Sequence, residues 1–254
     1  MLTAVTREIS PAMNRCELSY LERVEIDIAK AAEQHRQYEA CLRAMGAEVI
    51  SLPAEAELPD SVFVEDPAVV VDEVAVLTRP GAESRRLEGQ SLAKTLARFR
   101  PLRWMQAPAT LEGGDVMRAG KTFYVGASAR TNAAGMAQLA EELKPYGYEV
   151  KPVEVRGCLH LKSGCCYLGE GTVLANRDWV DTEALAGLRI VEVAPDEPWA
   201  ANILTIGADA LMPAGFPATA EIVERLGWKV RTTDISELRK AEAGVTCSSL
   251  LFTR

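Results

Sequence analysis

The sequence predicts an α/β fold of five repeated units, each a β-hairpin followed by a helix and a third strand, packed side by side into a closed ring. Three observations predict it. Strand-like apolar runs recur with a turn signal at their middle. Each run is followed by helical spacing and then by another strand. The hairpin turns lie roughly 40–50 residues apart, within the periods of repeat architectures.

The first hairpin runs from Ala68 to Leu77 around Asp72-Glu73, with a helix over Arg86 to Phe99 and a strand over Leu102 to Trp104. The second runs from Asp115 to Val125 around Gly120, with a helix over Asn132 to Leu143 and a strand over Tyr148 to Val155. The third spans Cys165 to Ala175 and turns at Gly169 and Gly171; its helix is Thr182 to Ala186 and its strand Arg189 to Val193. The fourth spans Ile203 to Met212 around Gly207 to Asp209, followed by Ala218 to Leu226 and Trp228 to Arg231. A fifth unit closes around the termini: Ser249 to Thr253 pairs with Thr3 to Thr6, continued by the helix Asp27 to Met45 and the strand Glu48 to Leu52. No such unit builds a core alone, and closure removes exposed sheet edges. The competing arrangement is an ordinary open α/β sheet.

Composition narrows the function. The 254 residues are 48% hydrophobic, enough for a buried core, and carry a formal charge of −8, which disfavours polyanionic partners such as nucleic acid or an anionic membrane. The N-terminus lacks the apolar core of a signal peptide, and no stretch reaches transmembrane length. Six cysteines (Cys16, Cys41, Cys158, Cys165, Cys166 and Cys247) form no C-x-x-C pair, and two histidines are too few for a conventional zinc site. They read as free thiols in a reducing, cytoplasmic compartment, and most as small core residues.

The segments preceding the five hairpins carry the chemistry. They are Phe63-Val64-Glu65-Asp66-Pro67, Leu111-Glu112-Gly113-Gly114-Asp115, Leu159-His160-Leu161-Lys162-Ser163-Gly164, Ala200-Ala201-Asn202 and Val245-Thr246-Cys247-Ser248. Equivalent positions of a ring converge at one end of its axis, which brings carboxylates, a histidine and a cysteine into one pocket. A cysteine thiolate is a strong nucleophile once a positive group lowers its pKa, a role open to His160 or to a cationic substrate. The imidazole can protonate a leaving amine and then activate water. Glu112 either holds the imidazole or grips the substrate, and Gly113-Gly114 allows a sharp turn beside it. Glu65 and Asp66 offer acceptors suited to a planar cation with several donors, such as guanidinium. Arg85 and Arg130 stand just before predicted helices, where they could hold a substrate carboxylate or, for Arg85, pair with Glu88. His35, in the polar run Glu33-Gln34-His35-Arg36, reads as a surface residue.

The motifs Asp60 to Pro67, Arg79 to Arg86, Ala129 to Asn132, Leu159 to Lys162 and Gly244 to Cys247 resemble, in order and spacing, those of dimethylarginine dimethylaminohydrolases. That resemblance implies the pentein fold, an α/β-propeller of five ββαβ units about a pseudo-five-fold axis, in a single catalytic domain over residues 1–254. It implies hydrolysis of Nω-methylated arginines to citrulline and methylamine or dimethylamine, with Cys247 as nucleophile, His160 as acid and base, and Glu112 positioning His160. Asp66 would bind the guanidinium; Leu18, Asp60, Glu65, Arg85, Arg130 and the backbone near Ala241 would bind the amino-acid portion. Leu18 would belong to a lid formed by Asn14 to Arg23. No cofactor is implied, and a homodimer is compatible with the resemblance. The neighbouring arginine deiminases carry Arg-Asp where this chain has Glu65-Asp66, and a second acid where it has Lys162, which favours a methylated guanidine. The remaining reading is a non-catalytic arginine-binding protein of the same fold.

Overall fold

The computed structural model describes all 254 residues. The fifth unit begins with β1 (Leu2–Arg7), α1 (Ile28–Ala44) and β2 (Glu48–Leu52). The first unit follows with β3 (Ala68–Val70), β4 (Ala75–Leu77), α2 (Glu88–Leu96) and β5 (Leu102–Trp104). The second has β6 (Val116–Ala119), β7 (Thr122–Ala127), α3 (Ala133–Leu143) and β8 (Glu149–Glu154). The third contains a single helical turn α4 (Leu161–Gly164), then β9 (Cys165–Gly169), β10 (Thr172–Ala175) and β11 (Arg189–Glu192). The fourth has β12 (Leu204–Ile206), β13 (Asp209–Pro213), α5 (Pro217–Arg225) and β14 (Lys229–Thr233); a short turn α6 (Ser236–Arg239) leads to β15 (Leu250–Thr253), which completes the fifth.

Every unit forms the same three-stranded sheet. Its middle strand pairs antiparallel with the hairpin partner and parallel with the strand after the helix. In the fifth, β1 lies between β15 and β2, so the first and last strands of the chain share one sheet. The hairpin turns at Gly120, Gly169, Gly171 and Gly207 have positive φ (59° to 112°), where an L side chain would be strained.

No strand of one sheet pairs with a strand of the next; the units are joined by side-chain packing and by a few backbone hydrogen bonds between loops, among them the isolated bridge between Val155 and Val180. Five buried clusters run round the ring, each drawn mainly from two successive units. Val5, Leu250 and Phe252 pack on Leu77 and Leu92; Val69 and Val76 pack on Val116 and Leu139; Met117 and Tyr124 pack on Cys165 and Val173. Leu168 and Leu174 meet Ile203 and Met212, and Leu204 and Leu211 meet Ala4 and Leu42. The first strands of all five hairpins line one axial cavity of about 430 Å³. The ring is therefore closed, and the open sheet is excluded.

Two expectations are corrected. The third unit has only a 3₁₀ turn, Thr182–Leu185, in place of its helix; the stretch ends at Gly187, too short to propagate an α-helix. His35 is buried, not exposed, because Ala31, Gln34, His35, Tyr38 and Leu42 share the inward face of α1 at helical spacing despite their polar neighbours.

Candidate active site

The segments before the hairpins meet at one end of the axis, as the repeat requires. Asp60, Asp66, Arg85, Arg130, His160, Ala241 and Cys247 line one tight cavity, together with Glu17, Phe63, Leu159, Glu242 and Ala243. Its free space is about 20 Å³, the size of a water molecule and too small for an amino acid in this conformation. A larger groove of about 460 Å³ lies on the outer side of residues 242–244, but no catalytic group faces it.

Glu112 is fully buried behind the cavity, and its Oε2 lies 2.7 Å from Nε2 of His160. Arg130 donates to Glu112 Oε1 at 3.4 Å, and Arg85 approaches Oε2 at 3.6 Å. Burial alone would raise the Glu112 carboxyl, but the His160 hydrogen bond and the two arginines hold it well below the usual range. Burial would likewise depress His160; Asp66, the Glu112 bond and Asp115 outweigh it and raise the imidazole to about 9. His160 is thus an imidazolium at neutral pH, charged and ready to donate. The pair places Glu112 on the imidazole, and Glu112 does not line the cavity itself.

Gly113 and Gly114 serve a different purpose from the one expected. Neither has positive φ; the glycines are needed because other groups crowd against them. A methyl group on Gly114 would come within 2.5 Å of His160 Nδ1 and 2.8 Å of Asp66 Oδ1, and one on Gly113 would collide with the Glu65 carbonyl oxygen. Asp66 accepts from the Gly114 N–H at 2.9 Å and from Arg85 at 2.9 Å. Arg85 also forks onto Glu88 through two hydrogen bonds of 3.1 and 2.9 Å. That pairing leaves Arg130 as the less neutralised of the two arginines; its second amino group donates to Ser19 Oγ at 3.1 Å.

Cys247 stands at the end of a loop held by Tyr38, whose hydroxyl donates to the Val245 carbonyl and meets Ser249 Oγ, both at 2.7 Å. Its Sγ accepts from the Gly244 N–H at 3.4 Å. Burial, and then the carboxylates of Glu65 and Asp66, push the thiol up, so the resting cysteine is protonated. Glu65 does not line the cavity. Its carboxylate pairs with Lys162 and accepts from Thr246 Oγ1, at the head of the axial channel. Leu18 is half-buried against the cluster that also receives Cys247, and Arg23 folds the loop from Asn14 to Arg23 onto itself by donating to the Asn14 and Cys16 carbonyls.

Three supporting residues were not singled out from sequence. Asp115 is fully buried and accepts from Ser128, Thr131 and the Leu161 N–H, which fixes the loop carrying His160. Asn202 donates to the Lys162 carbonyl at 2.8 Å and accepts from the Thr246 N–H at 3.0 Å, tying the histidine loop to the cysteine loop. Tyr38 buttresses the cysteine from α1. Asn202 carried a positional signal, since it stands before the fourth hairpin as Cys247 stands before the fifth. Asp66, Glu112 and His160 offer ligand atoms within 4.8 Å of one another, a spacing a metal ion could use. Arginines and the imidazolium already fill the cationic role there.

A ring of five ββαβ-like units, the third with a 3₁₀ turn for its helix, that buries a cysteine, an imidazolium and carboxylates at one end is the pentein architecture of guanidino-group-modifying enzymes. A family model described as eukaryotic N,N-dimethylarginine dimethylhydrolase matches residues 5–183. The N(G),N(G)-dimethylarginine dimethylaminohydrolase of Pseudomonas aeruginosa is 42% identical over 228 residues, 89% of this chain and 90% of that one. A Pseudomonas aeruginosa crystal structure, a cysteine-to-serine variant complexed with citrulline, is 38% identical and covers 99% of this chain and 100% of its own, with a TM-score of 0.94. A histidine-to-glycine dimethylarginine dimethylaminohydrolase, an adduct with S-methyl-L-thiocitrulline, matches with a TM-score of 0.95 at 38% identity and the same coverage. The chain belongs to the dimethylarginine dimethylaminohydrolase family.

Proposed function

We propose that this protein, as one catalytic domain over residues 1–254, hydrolyses Nω-methylated arginines to citrulline and methylamine or dimethylamine. The observation that carries the reading is the buried His160 imidazolium, pinned by Glu112 in the same closed cavity as Cys247 and Asp66. The relatives' names and the citrulline complex give the substrate class.

The resting thiol is protonated, so the substrate supplies the missing positive charge. Asp66 receives the guanidinium through the lone pairs that Arg85 and Gly114 leave free, and the cation draws the Cys247 proton off into solvent. Sγ attacks the guanidinium carbon, His160 gives its proton to the departing amine, and the C–N bond breaks to leave a thiouronium on Cys247. The now neutral imidazole takes a proton from water and hydroxide adds to the same carbon; the adduct then expels the thiolate, which takes up the hydroxyl proton to restore the Cys247 thiol, and citrulline is left. Asp60, Arg85, Arg130, Leu18 and the Ala241 backbone hold the amino-acid end. The side chain of Glu65 faces away from the cavity and supports the cysteine loop through Thr246. Lys162, paired with Glu65, leaves Asp66 facing the substituted guanidine without a second acid at its other nitrogen. No helix is long and apolar enough to cross a membrane, and the six cysteines are unpaired, which suits a reducing cytoplasm.

Acid-quenched mass spectrometry during turnover tests the covalent step. A substrate-derived mass on the Cys247 peptide is expected. Citrulline formation with no adduct, even in a His160→Gly variant slowed at hydrolysis, would contradict it.

A further inference from the structure

Glu242 lies outside the residues assigned above, yet it has the features of a ligand-binding group. It is one of two non-glycine residues in the left-handed region, with φ of 61°, and it is buried. Its Oε1 accepts from three successive lid amides, Ser19, Tyr20 and Leu21, at 2.9, 2.6 and 2.7 Å. Its Oε2 is equally buried and has no partner. A strained backbone persists only where the surroundings hold it, and an orphaned carboxylate oxygen calls for a donor. Glu242 also lines the catalytic cavity.

The neighbourhood says what that donor is. Ser19, held by Glu242 through its amide, accepts from Arg130 through its hydroxyl, so a carboxylate and a guanidinium flank one lid residue. An α-amino acid presents the complementary pair, an ammonium and a carboxylate on one carbon. We propose that Glu242 is a substrate-positioning residue: Oε1 latches the lid over the cavity, and Oε2 receives the α-ammonium of the guanidino amino acid. The same carboxylate then couples closure to recognition, because the lid is held best when the ammonium completes the unpaired oxygen. This rests on the proposed function for the substrate class.

Binding is measured by calorimetry in the Cys247→Ser background, with L-citrulline and its deaminated analogue 5-ureidopentanoate as probes. Glu242→Gln can keep an acceptor towards the lid while placing an amide where the ammonium would sit. It is expected to weaken L-citrulline about ten- to hundredfold, the range of a charged hydrogen bond, and to leave 5-ureidopentanoate within about twofold. Equal weakening of both ligands, or of neither, would overturn the assignment. Hydrogen exchange at the amides of residues 19–21 reads the latch: Glu242→Ala should accelerate it in the otherwise folded protein, and unchanged protection would refute the latch. If the wild-type enzyme releases no citrulline from methylarginine, the proposed reaction fails while the binding comparison stands.

Discussion

At the residue scale, the proposed mechanism rests on an acid that is kept charged and a nucleophile that is kept quiet. The His160 imidazolium is sustained by Asp66, Glu112 and Asp115 against the penalty of burial, whereas nothing comparable lowers the thiol of Cys247. A protein that left the thiolate permanently exposed would be open to oxidation and alkylation; in the proposed mechanism the charge comes with the substrate. The ion pair also leaves a mark on stability. The folded pKa of His160, about 9, exceeds its ordinary 6.5, so its contribution is fully present below pH 6.5 and is lost as pH rises through about 9. Glu112, held low, contributes above the ordinary carboxyl pKa and loses that contribution on acidification. Urea unfolding of wild type and His160→Gln should therefore show a stability difference that shrinks from neutral pH to above about pH 9. A difference that stays constant or grows would mean the imidazole is not held charged. Of these residues, His160, Cys247, Glu112 and Asp66 were legible in sequence through their matching places in the repeat. Asp115 was hidden, because an aspartate after two glycines looks like any solvated turn residue. Only the fold shows that Ser128, Thr131 and the Leu161 amide converge on it.

At the element scale, each catalytic group sits just before a hairpin and is fixed from a neighbouring unit. Asn202 joins the His160 and Cys247 loops, Lys162 and Thr246 meet on Glu65, and Gly114 packs between His160 and Asp66. The last contact gives a sharp prediction. Gly114→Ala should displace the imidazole and lower kcat about a hundredfold, the cost of misplacing a catalytic group by about an ångström. An equivalent change at Gly120, where a methyl group meets nothing within 4 Å, should cost stability through its positive φ and leave kcat nearly intact. Steady-state kinetics beside thermal melts separate the two; comparable kcat values would show that the close approach is not needed. The sequence revealed the glycine pair but not its reason, because crowding by His160 and Asp66 comes from residues 46 and 48 positions away. The helices were legible wherever apolar spacing ran for two or more turns. The third failed because Thr182 to Ala186 is one turn long, and His35 was misjudged because its polar neighbours mask the face of α1 it belongs to.

At the scale of the whole molecule, the five clusters lie between units rather than within them. A linear repeat protein can fray from its ends, but a ring has none, and here the first and last strands share a sheet. Leu174→Ala, in the cluster between the third and fourth units, should cost about 2–5 kcal/mol and keep unfolding a single cooperative transition. A separate early transition seen by a probe in one unit would contradict a core shared round the ring. Closure was readable from the termini, whose strand-like ends had no other partner; the axial cavity and the inter-unit placement of the clusters were not, because both arise only when the five units meet. The ring brings Cys247, His160, Glu112 and Asp66 together to act on a substituted guanidinium, and one measurement tests that most directly. Citrulline release is followed with the wild-type enzyme on asymmetric dimethylarginine, monomethylarginine and unsubstituted arginine. The methylated substrates should give citrulline with stoichiometric amine, abolished by Cys247→Ser, and arginine should be turned over far more slowly. Efficient release of ammonia from arginine, or no citrulline from any of the three, would contradict it.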